Sequence, residues 1–134
     1  LNDQYGHLAG DLLLQEVGRR LAHCIREQDT VARLGGDEFV VLLVHVADNL
    51  ESATDLARQV AERILHDLAR PYVMSLDEQG NAARKIEHLC SASLGMTLFP
   101  PCESDSETIL RRADRAMYQA KGEGRNKICL AEVD

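Results

Sequence analysis

Gly35, Gly36, Asp37 and Glu38 stand between one apolar run, Val31 to Leu34, and a longer one, Phe39 to Val44. A chain that runs apolar, crosses two glycines and two acids, and runs apolar again reads as two strands joined by a four-residue hairpin connection. Consecutive glycines, having no Cβ, let the backbone turn through positive φ and let a bulky anion such as phosphate approach the main-chain amides. In a turn, Asp37 and Glu38 can face the same space and offer hard oxygen ligands. Magnesium favours one or two carboxylates together with substrate phosphates. A plain hairpin turn with solvated acids accounts for the glycines too, and less well for both acids crowding onto the tip.

Around the hairpin the pattern alternates helices with short strands. Residues 11–28 place Leu13, Val17, Leu21 and Cys24/Ile25 at helical spacing, with Asp11 able to cap the start. Residues 50–69 repeat that spacing through Leu56, Val60, Ile64 and Leu68 until Pro71. Tyr72 to Leu76 and Leu89 to Phe99 read as strands around the polar connection DEQGNAAR, expected to be mobile, and Pro100-Pro101 ends the second of them. A Ser104-to-Glu107 capping box opens a third helix, with Ile109, Ala113, Met117 and Ala120 on one face and a stop at Gly122 or Gly124; Ile128 to Leu130 forms a last strand. These elements predict an α+β fold, a mostly antiparallel sheet covered by helices.

The length of 134 residues, 45% of them hydrophobic and 28% charged, predicts a single domain spanning residues 1–134. The net charge of -7 excludes a general nucleic-acid or anionic-membrane binder, so any phosphate must be gripped locally. Cys24, Cys90, Cys102 and Cys129 contain no CxxC pair, and three lie in apolar runs, which predicts buried reduced thiols and a cytoplasmic setting. No apolar stretch reaches membrane-spanning length and no signal peptide is visible, so any membrane anchor would lie outside this chain. His7, His23, His45, His66 and His88 show no metal-ligand spacing.

Two further pairs carry chemistry less securely. Lys121 and Arg125, four apart, could project together from a helix end and grip a triphosphate, although basic residues there also offset the helix dipole without any ligand. Asn2 and Asp11 could read the donor-rich edge of guanine, although Asp11 as a cap and Asn2 in a loop is the simpler account.

Four stretches taken together resemble the diguanylate cyclase (GGDEF) domain family: LNDQYGHLAGD at 1–11, REQDTVARLGGDEFVVLL at 26–43, SASLGMTLFP at 91–100 and ADRAMYQAKGEGRNK at 113–127. They span nearly the whole chain in the family's order and spacing. The resemblance implies a ferredoxin-like or palm-like core, a mixed and mostly antiparallel sheet flanked by helices, with the hairpin tip at its active edge. It implies condensation of two GTP into cyclic di-GMP with release of two pyrophosphates. Gly35 and Gly36 would pass under the GTP phosphates, and Asp37 and Glu38 would be the catalytic metal ligands for magnesium, with manganese as the alternative. Asn2 and Asp11 would bind guanine, and Lys121 and Arg125 the phosphates. Since each domain would hold one GTP, the two-fold product implies a homodimer with facing half-sites, controlled by attached sensor domains, and a phosphodiesterase domain is a further candidate neighbour.

REQD also matches the family's RxxD inhibitory motif, which would place product cyclic di-GMP at Arg26 and Asp29; an exposed ion pair at a helix end is the plainer reading. Family domains begin with an aspartate-bearing strand that would lie upstream of Leu1. Its absence from this sequence predicts a chain lacking one metal carboxylate, with weak or no cyclase activity by itself. Leu34 stands where many members have an aromatic. The competing reading is a catalytically silent module that binds GTP or cyclic di-GMP.

Overall fold

The computed structural model describes residues 2–76, 84–103 and 105–131. In chain order the elements are α1 (Asn2–Cys24), β1 (Thr30–Gly35), β2 (Glu38–Leu42), α2 (Leu50–Ala69), β3 (Tyr72–Leu76), β4 (Arg84–His88), β5 (Ser93–Met96), α3 (Ser106–Gly122) and β6 (Lys127–Leu130). They form two compact units, residues 1–44 with 70–90, and residues 45–69 with 91–134. The fold is the expected mixture of helices and short strands, with β1–β2 and β3–β4 antiparallel and β5–β6 parallel.

In the first unit α1 packs against β1 and β3. The helix is interrupted at Gly6 (φ 83°, ψ 178°), a conformation open to glycine. It starts well before Asp11, which therefore sits inside it and does not cap it, contrary to the sequence expectation. Ala9 and Met74 are buried, with Leu12 and Leu13 packed against them. Arg20 is buried as well. Its guanidinium lies 3.7 Å from the centre of the Tyr72 ring, donates to the carbonyls of Arg70 and Pro71 at 2.8 Å each, and meets Glu16 at 3.0 Å. The cation thus ties α1 to the entry of β3 while its donors stay paired. Burial pushes the Tyr72 hydroxyl up to about 12.

Of the strand expected over 89–99 only Ser93–Met96 forms one, β5, which stops before Pro100-Pro101; the partner of β3 is instead β4, residues 84–88, which precedes the expected range. Most of the polar connection, residues 77–83, lies outside the described residues.

In the second unit β5, α3 and β6 make a parallel crossover, with Leu94 opposite Ile128 and Gly95 opposite Cys129. Parallel neighbours require such a crossover connection. Asn49 Oδ1 accepts from the Ser52 N–H at the start of α2, and Asp105 caps α3 by accepting from the Thr108 N–H. Asp105 thus takes the role expected of Ser104, which lies outside the described residues. The buried stripe of α2 runs through Ala57, Ala61, Ile64 and Leu68. Leu56 is exposed instead of inward, because the small alanines face the strands β5 and β6. On α3 the face read from Ile109 to Ala120 is the inner one, with Ala116 and Ala120 buried. None of the four cysteines is in a disulfide, and of the four only Cys24 is buried.

Among the glycines of the second unit, only Gly95 is closely approached. A Cβ there would lie 2.0 Å from the Ala113 carbonyl oxygen and 2.3 Å from the Met117 nitrogen, both main-chain atoms of α3. Strand and helix meet backbone to backbone, so no side chain can move aside. Gly95→Ala is expected to lower the unfolding free energy by about 3 kcal/mol or more, seen as a lower urea midpoint. Gly122→Ala, with nothing within 4 Å of the new Cβ, is the control, expected to be neutral or slightly stabilising.

Candidate functional site

The hairpin pairs Thr30 with Leu42, Val31 with Val41, Ala32 with Val40, Arg33 with Phe39 and Gly35 with Glu38. The expected four-residue connection is therefore tighter: Gly36 and Asp37 alone form the turn, and Leu34 is an extra residue bulged out of the ladder. Leu34 is 61% exposed, as its place outside the ladder requires. Gly35 (φ 153°) and Gly36 (φ 52°) occupy backbone regions that L-residues seldom adopt. A Cβ at either would meet nothing within 4 Å, so conformation and not crowding demands glycine, and the space beside the turn is open. The Arg33 Nε donates to the Gly36 carbonyl at 2.9 Å, across the turn. Asp37 is exposed and Glu38 half-buried, the one in the turn and the other opening β2.

Among the described residues no three His, Cys, Asp or Glu side chains gather as a metal site. The tip offers two carboxylates next to an open glycine turn. That donor set fits magnesium, which keeps several waters and takes the rest of its ligands from phosphates.

At the base of the hairpin Arg26 and Asp29 form a clamp. Asp29 precedes β1, and its carboxylate accepts four hydrogen bonds: from Arg26 N, Nε and Nη2 and from the Val44 N–H, each at 3.0 Å. Arg26 Nη2 also donates to the Val44 carbonyl. Val44 follows the end of β2, so the pair closes the open end of the hairpin with bonds to both strands' flanks. The Asp29 side chain is 2% exposed and that of Arg26 46%. The Arg26 guanidinium holds the Asp29 carboxyl down from its ordinary 3.8 to about 2, against the opposing effect of burial, and the Val44 amide adds to the lowering.

The other sequence candidates lie elsewhere. Asp11 is exposed on α1, and Asn2 falls in the first stretch of that helix with its side chain outside the described set. Lys121 and Arg125 belong to the second unit and are not on one helix face, since α3 ends between them. Lys121 is half-buried with its ammonium 5.4 Å from the centre of the Tyr118 ring. Arg125 lies past the helix at φ 63°; its N–H donates to Ala120 O at 3.0 Å, while the Gly124 N–H reaches Lys121 O at 3.4 Å. This pair of bonds is the Schellman arrangement, with glycine at the left-handed position. Sequence reasoning missed Arg33 and the Val44 main chain. Arg33 could have been found by asking which donor three residues back would hold the turn.

A family model described as "Diguanylate cyclase, GGDEF domain" matches residues 1–127. The bifunctional diguanylate cyclase/cyclic di-GMP phosphodiesterase MucR of Pseudomonas aeruginosa is 41% identical over 98% of the chain. The cyclic di-GMP phosphodiesterase PdeR of Escherichia coli is 39% identical over 97% of it. The chain spans 17% of the length of each of these two relatives. The crystal structure of the GGDEF domain of TpbB, also called YfiN, from Pseudomonas aeruginosa superimposes with a TM-score of 0.73 at 35% identity, covering 99% of this chain and 74% of that one.

Because folding lowers the Asp29 pKa, its contribution to stability is present above about pH 4 and is lost as the pH falls toward 2. The shift corresponds to about 2 kcal/mol. Asp29→Asn is expected to flatten the acid limb of stability against pH in urea titrations, leaving the share of Glu16, whose carboxyl Arg19 also holds at about 2. An unchanged limb would show that the clamp adds no stability.

Proposed function

The chain belongs to the diguanylate cyclase GGDEF domain family, and from that premise we propose that residues 1–134 are part of a single catalytic domain that condenses two GTP into cyclic di-GMP and two pyrophosphates. Cyclic di-GMP synthesis is the family's chemistry, and the observation that supports it in this chain is the open glycine turn with Asp37 and Glu38 beside it. The main-chain amides at Gly35 and Gly36 take the GTP phosphates. Asp37 and Glu38 hold magnesium, or manganese in its place, which when bound neutralises phosphate charge and favours ionisation of the attacking 3′-hydroxyl. Asn2 and Asp11 read guanine, whose N1–H and N2–H2 donors suit a carboxylate acceptor. Lys121 and Arg125 supply positive charge to the phosphates, which a chain of net charge -7 must concentrate locally.

In each condensation the 3′-oxygen of one GTP attacks the α-phosphorus of the other, the O–P bond forms as the bond to pyrophosphate breaks, and the hydroxyl proton leaves to base or solvent. The product's two-fold character calls for two domains facing each other, so the working unit is a homodimer. Product cyclic di-GMP binds at Arg26, whose guanidinium is half-exposed beside its Asp29 partner, and restrains turnover. The protein works in the cytoplasm, where GTP is supplied; no helix among the described residues is long and apolar enough to cross a membrane.

One observation favours a second reading. A relative 39% identical along nearly the whole chain is named for cyclic di-GMP hydrolysis alone. On that reading the domain binds GTP or cyclic di-GMP as a silent regulatory module.

Chromatographic assay of the full-length protein with GTP and magnesium separates the two. Cyclic di-GMP formation is expected, falling about 100-fold or more in Asp37→Ala and Glu38→Ala. GTP bound without turnover would transfer the assignment to the silent module. Calorimetry is expected to show cyclic di-GMP binding that Arg26→Ala abolishes; binding unaffected by that change would remove the RxxD site from the proposal.

A further inference from the structure

The glycines that open the turn also leave it free to take more than one shape. Turning the peptide that joins Gly36 to Asp37 changes ψ of Gly36, which glycine tolerates widely, together with φ of Asp37. In the structure one orientation is chosen. Arg33, the last residue of β1 before the Leu34 bulge, reaches across and donates from Nε to the Gly36 carbonyl at 2.9 Å. Among the described residues no peptide is cis, and in a trans peptide the carbonyl and the following N–H point in opposite directions. With the Gly36 oxygen held toward Arg33, the Asp37 N–H points away from Arg33.

Arg33 is exposed, so burial does not force this bond. A charged donor on a main-chain carbonyl is a stronger restraint than a neutral one. It acts on a site where a Cβ at Gly35 or Gly36 would meet no other atom within 4 Å. Side-chain packing on the glycines therefore cannot be what fixes the peptide.

We propose that Arg33 is a positioning residue of the phosphate-binding turn: by holding the Gly36 carbonyl it aims the Asp37 N–H at a nucleotide phosphate. This inference rests on the nucleotide-binding reading above. Arg33 does not itself touch phosphate. It preorganises an anion-binding amide and the backbone from which the Asp37 carboxylate projects, so losing it costs phosphate affinity while recognition of the base is spared.

The test compares Arg33→Ala with Arg33→Gln in the full-length protein, since a glutamine amide keeps an N–H donor for the Gly36 oxygen but carries no charge. Affinities are measured for a non-hydrolysable GTP analogue with magnesium and for guanosine, at two salt concentrations. Arg33→Ala is expected to weaken the triphosphate about five- to tenfold, the size of one lost hydrogen bond. Guanosine binding is expected to stay unchanged, and Arg33→Gln to recover most of the loss with the salt dependence of the wild type. Equal loss in both variants with a shallower salt dependence would overturn the proposal in favour of direct contact between Arg33 and phosphate. Unchanged triphosphate affinity in Arg33→Ala would overturn it outright.

Nuclear magnetic relaxation of the Gly36 and Asp37 amides without nucleotide reads the turn separately. The wild type is expected to show one peptide orientation and Arg33→Ala millisecond exchange between two; identical relaxation in both would also overturn the proposal. Absence of triphosphate binding in the wild type would refute the nucleotide reading, and with it the phosphate role of Arg33, even where relaxation shows that Arg33 holds the turn.

Discussion

The geometry of the hairpin depends on one carboxylate. Asp29 is almost fully enclosed and accepts from the Arg26 guanidinium, the Arg26 main chain and the Val44 amide together. A buried carboxylate without partners would be strongly unfavourable, so these bonds are conditions for its presence there. Because one set of donors comes from before β1 and the other from after β2, satisfying the charge also fixes where the two strands meet. The ladder from Thr30–Leu42 to Gly35–Glu38 then carries that registration to the tip. A one-residue slip would turn every side chain of β2 to the opposite face.

The second unit is organised by the opposite means. Nothing charged is enclosed at Gly95; the strand lies against the main chain of α3 because the residue has no side chain. Alanines along α2 and α3 continue the same economy of volume, with Ala57, Ala61, Ala116 and Ala120 at the buried positions. Dispersion at such short separations accumulates over many atoms and tolerates little change in volume.

Much of this was legible from residue order. The glycine–acid turn between apolar runs announced the hairpin, and Leu50 to Ala69 appeared as a helix with both ends in place. What escaped was whatever depends on partners distant in sequence. Asp11 looks like a cap because a polar residue precedes an apolar repeat, yet the helix extends past it to Gly6 and beyond. Leu56 fits the helical period as well as Ala57 does, and only the strands facing α2 decide between them. The partner of β3 is Arg84–His88, before the expected 89–99, a pairing that no local pattern specifies. At the candidate site the identity of the tip residues was readable, and the clamp was readable as an ion pair. Its attachment to Val44 was not, since main-chain partners leave no mark on residue identity.

The open space around Gly35 and Gly36 bears on how such a domain can change over generations. No side chain leans on the two glycines, and Asp37 stands in solvent at the end of a ladder secured from its other end. Replacing Asp37 leaves the enclosed charge at Asp29 and the close contact at Gly95 untouched. Chemistry and foldedness are therefore separable along this hairpin: a descendant can lose the acid while inheriting the scaffold, and remain available for duties that need only its shape.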